Sequence, residues 1–212
     1  MRQRDPAHPS LYCKRQTGYT YRTLSHPFVR PTILRERRAY RAFSRLGIKT
    51  PDIVYCAARQ ERGRWQALLL TEALREFVSL EQWYAGNKDE ALGKAVLRRL
   101  AATLARLHLA GWQHGCGHPK HIFVKAGHGE NEAPQVEIAL LDLEKSRRRW
   151  CSRNASRHDL CQLTRHRGNM PEADLLFFRR VYRRLLGRGR FSWTAISLKT
   201  ILRFAMRVAG TA

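Results

Sequence analysis

The stretch WQHGCGHPKHIFVK, Trp112 to Lys125, sets three histidines, a cysteine and two lysines between a segment of helical periodicity and one that reads as a strand. As a zinc site it offers His114, Cys116, His118 and His121, but it has no paired Cys or His knuckle and no HExxH spacing. Two readings survive: a solvated loop with incidental histidines, or a loop held between two apolar elements in order to do chemistry.

Working outward, ALGKAVLRRLAATLARLHLA (91–110) is the clearest helix of the chain. It lines up Leu97, Leu100, Ala101, Leu104, Leu107 and His108 on one face, with His108 read as a structural histidine. After the loop, HIFVK and QVEIALLDLEK read as two strands of a hairpin across GHGENEAP, and ASRHDLCQLTRH, EADLLFFRRVYRRLL and SWTAISLKTILRFAMRV read as helices. Toward the start, MRQRDPAHPS has no periodicity, LYCKRQ is a short strand, and TYRTLSHPFVRP is expected to be a loop closed by Pro31. Thr32 is expected to cap a helix through ILRERRAYRAFSRL that Gly47 ends. IVYCAAR and WQALLLTEAL then form a hairpin across QERGR, and Ser79, with Glu81 and Gln82 after it, starts a capped turn. Strands thus precede helices, an α+β arrangement.

Composition narrows the class. The 212 residues carry 40 Lys and Arg against 17 Asp and Glu, a formal charge of +23, so partners bearing phosphate or carboxylate are favoured. The basic runs are spread along the chain and aromatics do not interleave with them as in a single-strand stacking groove, which argues against nucleic acid. Five cysteines without a CxxC pair, and no secretory apolar segment, point to a reducing cytosol. No stretch approaches the roughly 18 apolar residues of a membrane span, so any membrane contact is expected to be peripheral.

Two acids stand out. Glu36 shares a stripe with Ile33, Tyr40 and Phe43, so either it edges the stripe and pairs with arginines of its own helix, or it is covered and needs a cation from outside. Lys14 and Arg15 are the nearest such cations, pointing to opposite faces of the preceding strand. Asp142 ends the alternating set Val136, Ile138, Leu140, where a carboxylate binds a metal or a cation, or else caps a turn beside Lys145 and Arg147.

Seven stretches, YCKRQ (12–16), RERRAYR (35–41), LGIKTP (46–51), LLLTEAL (68–74), HPKHIFV (118–124), LLDLEKSRRR (140–149) and RHDLCQL (157–163), occur in an order and spacing that resembles the lipopolysaccharide kinase group of the protein-kinase-like fold, with its heptose and Kdo kinases and InaA-like members. The resemblance implies a two-lobe α+β protein, with a reduced N-terminal lobe over residues 1–75 and a mainly helical lobe over 76–212. It implies ATP and Mg²⁺ as cofactors and phosphorylation of a sugar hydroxyl on lipopolysaccharide core or a related anionic glycolipid, in the cytoplasm and peripherally at the inner face of the inner membrane. By the same resemblance Lys14 matches the phosphate-contacting lysine, Glu36 its partner, Asp142 a magnesium ligand, His121 the second metal position, and Asp159 the aspartate that holds the catalytic loop. Glu72 and Leu74 fall at the adenine-binding hinge.

Two departures follow. Cys116 stands where the group has its catalytic aspartate, which leaves His114 as the alternative proton acceptor and raises a second reading, a weak or inactive kinase homologue that acts by binding. Thirteen residues without a glycine precede Lys14, where the resembled fold has two strands and a glycine loop, so the expectation is a reduced lobe or a chain that begins late relative to its relatives. Either would leave an open strand edge near residues 11–16.

Overall fold

The apolar alternation of IVYCAAR and WQALLLTEAL produces β4 (Ile53–Glu61) and β5 (Arg64–Glu72), joined by Arg62 and Gly63 alone. Both turn residues have positive φ, 48° and 75°, the backbone twist that a two-residue hairpin turn requires. β1 (Leu11–Thr17) adds to the other side of β5, so that the antiparallel order is β1-β5-β4 and β1 is an edge strand among the described residues. A computed structural model describes residues 10–23, 26–86, 89–129 and 131–187. The expected loose opening through Pro9 and the expected helix SWTAISLKTILRFAMRV lie outside the described residues.

The segment expected to be a loop closed by Pro31 is instead a hairpin, β2 (Thr20–Thr23) with β3 (His26–Pro31). Its prolines are compatible with this because the sheet has two strands among the described residues, so a residue without an N–H can stand on an unpaired edge. The Thr32 N–H donates to the Tyr19 carbonyl at 3.0 Å, which closes the hairpin onto the next helix.

That helix, α1 (Thr32–Arg45), buries Ile33, Glu36, Ala39, Tyr40 and Phe43 on one face. Thr32 does not cap it as expected. Pro31 occupies the cap position and the Thr32 hydroxyl is drawn away, donating to Gln16 Oε1 at 2.9 Å. At the other end Gly47, with φ +64°, ends the helix, and the Ile48 N–H reaches back to the Phe43 carbonyl at 2.9 Å.

β6 (Val78–Ser79) leads into α2 (Leu80–Gly86) through the expected capping box: the Gln82 N–H donates to Ser79 Oγ while Gln82 Oε1 accepts from the Ser79 N–H. α3 (Glu90–Leu109) starts at Asp89, whose carboxylate accepts from the Leu92 N–H at 3.0 Å. Its inner face is the expected one, with Leu97, Leu100, Ala101 and Leu107 fully buried, and it packs against the second hairpin and α4. After β7 (Trp112–Gln113) comes that hairpin, β8 (Ile122–His128) and β9 (Pro134–Leu140), in a sheet of order β6-β8-β9.

QVEIALLDLEK is not strand throughout. β9 stops at Leu140, Asp142 turns into the left-handed region, and Leu143–Lys145 form a 3-10 turn before β10 (Arg147–Arg148) pairs with β7. α4 (Ser152–Arg165) and α5 (residues 172–187) complete the described chain.

Phe43 links the two halves of this arrangement. It is fully buried and stands edge-on to Trp112, with centroids 5.8 Å apart at 84°. Phe43→Ala is expected to lower unfolding free energy by about 3–5 kcal/mol, read as a fall in urea midpoint at constant m, whereas Arg38→Ala on the exposed face changes it by less than about 0.5 kcal/mol.

Candidate active site

Strand β1 and helix α1 bring the first two site residues together. Lys14 Nζ lies 2.9 Å from Glu36 Oε2, so the covered carboxylate does take its cation from the preceding strand. The same ammonium is 2.9 Å from Glu144 Oε2 and 3.7 Å from Asp142 Oδ1. Burial pushes the Glu36 carboxyl above its ordinary range, which Lys14 only partly offsets. On Lys14 burial works the opposite way, but Glu36 and Glu144 outweigh it and hold the ammonium firmly protonated.

Asp142 reaches this cluster because of its backbone. Its φ of 55° and ψ of 61° belong to the left-handed region, which is strained for a residue with a Cβ and ends the strand there. Its other oxygen, Oδ2, is 3.6 Å from His121 Nε2. Lys14, Glu36, His121 and Asp142 all line one cleft of about 530 Å³, a volume suited to a nucleotide-sized ligand. Glu72 and Leu74 line the same cleft, with Leu69 and Phe77 supplying apolar wall. The Ala73 N–H between them is taken by the Ser10 carbonyl at 2.8 Å.

Glu144 was not among the residues singled out from the sequence. It sits two positions past Asp142 and accepts from Gln16 Nε2 at 2.9 Å, so a chain of hydrogen bonds runs from Thr32 through Gln16 and Glu144 to Lys14. Arg35 Nε donates to the Glu144 carbonyl at 2.7 Å and fixes the turn from the α1 side. The DLEK alternation carried this signal, but a strand reading through Lys145 hid it.

The loop itself is held from beneath. Asp159 on α4, almost fully buried, accepts from the backbone N–H groups of His114 at 2.6 Å and Gly115 at 2.9 Å, and lies 3.0 Å from His108 Nε2. Burial alone would raise the Asp159 carboxyl, but the hydrogen bond and charge of His108, with the Gly115 N–H, hold it below its ordinary range. His108 Nδ1 is in turn 2.6 Å from the Tyr182 hydroxyl, which ties α5 into the network. Gly115 has φ +86°, and a Cβ there would stand 2.5 Å from the Lys145 carbonyl, so no other residue fits where the loop presses on the 3-10 turn.

His114 is not where a proton acceptor has to be. Its side chain is fully buried, its ring is tilted against Phe43 with centroids 6.5 Å apart, and it does not line the cleft. Nδ1 accepts from the Cys116 N–H at 3.1 Å, Nε2 makes no hydrogen bond of good geometry among the described residues, and burial lowers its pKa to about 4. The expectation that it serves a substrate hydroxyl is therefore corrected: it is a neutral ring packed under the loop. Cys116 is also buried, and burial together with the nearby Asp142 carboxylate pushes its thiol up, so it is a neutral thiol. His118 stacks on His166, with centroids 4.1 Å apart, and the four possible zinc ligands of the loop form no cluster among the described residues.

The charge around Lys14 is compatible with a divalent cation, although among the described residues no three acid, histidine or cysteine side chains converge on one metal position. Three carboxylates face one ammonium, and Asp142 and Glu144 offer the hard oxygens that magnesium prefers.

The family model described as "Lipopolysaccharide kinase (Kdo/WaaP) family" matches residues 2–182 of the chain. Protein InaA of Escherichia coli (strain K12) is 38% identical over 168 residues, which is 77% of this chain and 75% of that protein. Among solved structures, "WaaP in complex with acyl carrier protein" superposes with a TM-score of 0.60 at 20% identity, over 90% of this chain and 88% of that one. The fold is thus the two-lobe protein-kinase-like one, with an N-terminal sheet lobe and a C-terminal helical lobe.

Two variants test the frame of the loop. In the wild type the unfolded chain binds a proton at His114 below about pH 6.5 that the folded chain refuses until about pH 4. Stability linked to this ring is therefore complete above that window and falls by about 3 kcal/mol through it. His114→Leu is expected to flatten the urea-midpoint profile between these pH values. Gly115→Ala is expected to cost more than about 2 kcal/mol at neutral pH in the same measurement, because strain and backbone overlap act together.

Proposed function

The chain belongs to the lipopolysaccharide kinase (Kdo/WaaP) family, and from that premise we propose that it uses ATP and magnesium to phosphorylate a sugar hydroxyl on lipopolysaccharide core or a related anionic glycolipid. The observation that carries the reading is the ammonium of Lys14 held by Glu36 at the wall of the cleft, within 3.7 Å of Asp142. Phosphoryl transfer depends chiefly on positioning and on cations set against phosphate oxygens.

In this reading residues 1–75 form the nucleotide-holding lobe and 76–212 the catalytic and substrate lobe. Lys14 contacts nucleotide phosphates and Glu36 keeps it aimed. Glu72 and Leu74 border the base. Asp142 and Glu144 would hold the magnesium ion, which neutralises phosphate charge when bound. His121 is better suited to hydrogen-bonding a phosphate or Asp142 than to ligating a hard cation, because imidazole is a softer donor than oxygen. Asp159 is a positioning residue that fixes the loop backbone. The acceptor partner is anionic, as the +23 balance favours, and contact with the membrane is peripheral, no helix among the described residues being long and apolar enough to cross it.

Cys116 favours a second reading. With a neutral thiol in place of a carboxylate, the protein would hold nucleotide and act by binding, as an inactive member of the family. Transfer of labelled γ-phosphate from ATP to whole lipopolysaccharide separates the two. If the protein is a kinase, Lys14→Ala and Asp142→Asn lower kcat/KM at least about a hundredfold and Cys116→Asp raises the rate. Magnesium-dependent ATP binding with no turnover in either the wild type or Cys116→Asp would establish the binding role instead.

A further inference from the structure

The side of α1 away from the cleft carries Arg37, Arg38, Arg41 and Arg45, and Arg148 of β10 completes with them a groove of about 500 Å³ beside Trp112. At 3.6 residues per turn, Arg38, Arg41 and Arg45 stand about 140–200° around the helix from Glu36. None of the five guanidiniums has an ion pair or hydrogen bond among the described residues. Three acids are held on the cleft side instead, where Glu36, Asp142 and Glu144 surround Lys14.

Two residues beyond Arg148, Trp150 is wholly exposed, at 106%. Arg149 between them is held by its Nε donating to Gln113 Oε1 at 2.5 Å, and two residues of chain span at most about 7 Å, so the exposed indole stays close to Arg148. An indole left entirely in water next to unpaired guanidiniums matches the bilayer interface, where the ring enters the headgroup layer and arginines meet lipid phosphates in bidentate pairs. A soluble sugar phosphate would satisfy the arginines and leave Trp150 unused.

We propose that the arginine face of α1, with Arg148 and Trp150, is the surface by which the protein docks on an anionic lipid bilayer. The proposal rests on the peripheral-membrane part of the function proposed above and names the surface responsible. Glu36 points the other way on α1, so this face and the Lys14 cluster are separate surfaces that can be tested independently.

The test is co-sedimentation of the full chain with phosphatidylcholine vesicles, with and without phosphatidylglycerol, at near-physiological salt. The wild type is expected to bind only the phosphatidylglycerol vesicles. Arg38→Glu/Arg41→Glu/Arg148→Glu is expected to lower the partition coefficient at least about tenfold, since each basic residue near an anionic surface adds to binding. Arg157→Glu/Arg183→Glu/Arg184→Glu, an equal charge change on α4 and α5, is expected to lower it far less. Fluorescence provides a readout free of charge reversal: the difference spectrum between wild type and Trp150→Phe should shift to the blue on adding phosphatidylglycerol vesicles. Equal loss in both triple variants, or no shift of that difference spectrum, overturns this face and leaves the membrane reading standing. Loss of RNA binding in the first triple variant while vesicle binding persists assigns the face to nucleic acid and also overturns the proposal. A wild type that binds no vesicles removes both face and membrane partner, while ATP binding by the same preparation reports separately on the cleft.

Discussion

A carboxylate that is 2% exposed cannot stay charged without a partner, and among the described residues Glu36 finds its cation in Lys14 on β1. That requirement couples β1 to α1 and so fixes how the first sheet meets the first helix. Glu144 shares the ammonium from the far side, and Arg35 reaches across to the carbonyl of the same residue. Three elements distant in sequence therefore meet on the Lys14 ammonium.

The loop between Trp112 and Lys125 obeys a second constraint of the same kind. Asp159 must satisfy its buried oxygens, and it does so with the amides of His114 and Gly115, which shape the loop regardless of what stands at 116. Gly115 then allows the loop to press on the turn after Asp142. The backbone of the loop is thus held in place around a cysteine. Frame and proton acceptor are separable because one is held by backbone hydrogen bonds and the other is a single side chain.

Charge is distributed in keeping with this. Glu36, Asp142 and Glu144 gather around Lys14 at the cleft, while Arg38, Arg41 and Arg45, which have no ion pair among the described residues, lie on the other side of α1. One helix thus carries both signs on different faces.

Much of the fold was legible in the residues alone. The periodicities of IVYCAAR, WQALLLTEAL and the helix of Leu97 and Leu104 reflect burial on one face, and burial is written locally in which residues recur at which spacing. The hairpin from Thr20 to Pro31 was not legible, because its prolines argue against a strand and only the missing neighbour on its edge makes them tolerable. Pairing Lys14 with Glu36 was a choice among cations that the stripe on α1 posed and could not make. Likewise the strand alternation flagged Asp142 but not its left-handed turn, which is what brings Glu144 to the ammonium and ends β9. His114 shows the limit most plainly: a histidine beside a cleft and one packed beneath it have the same neighbours in sequence. By itself, then, the sequence determined which elements form and which residue types stand ready for phosphate chemistry, since those depend on spacing along the chain. Tertiary structure alone decided which of them face the cleft, because burial and charge pairing depend on elements that meet only when the chain is folded.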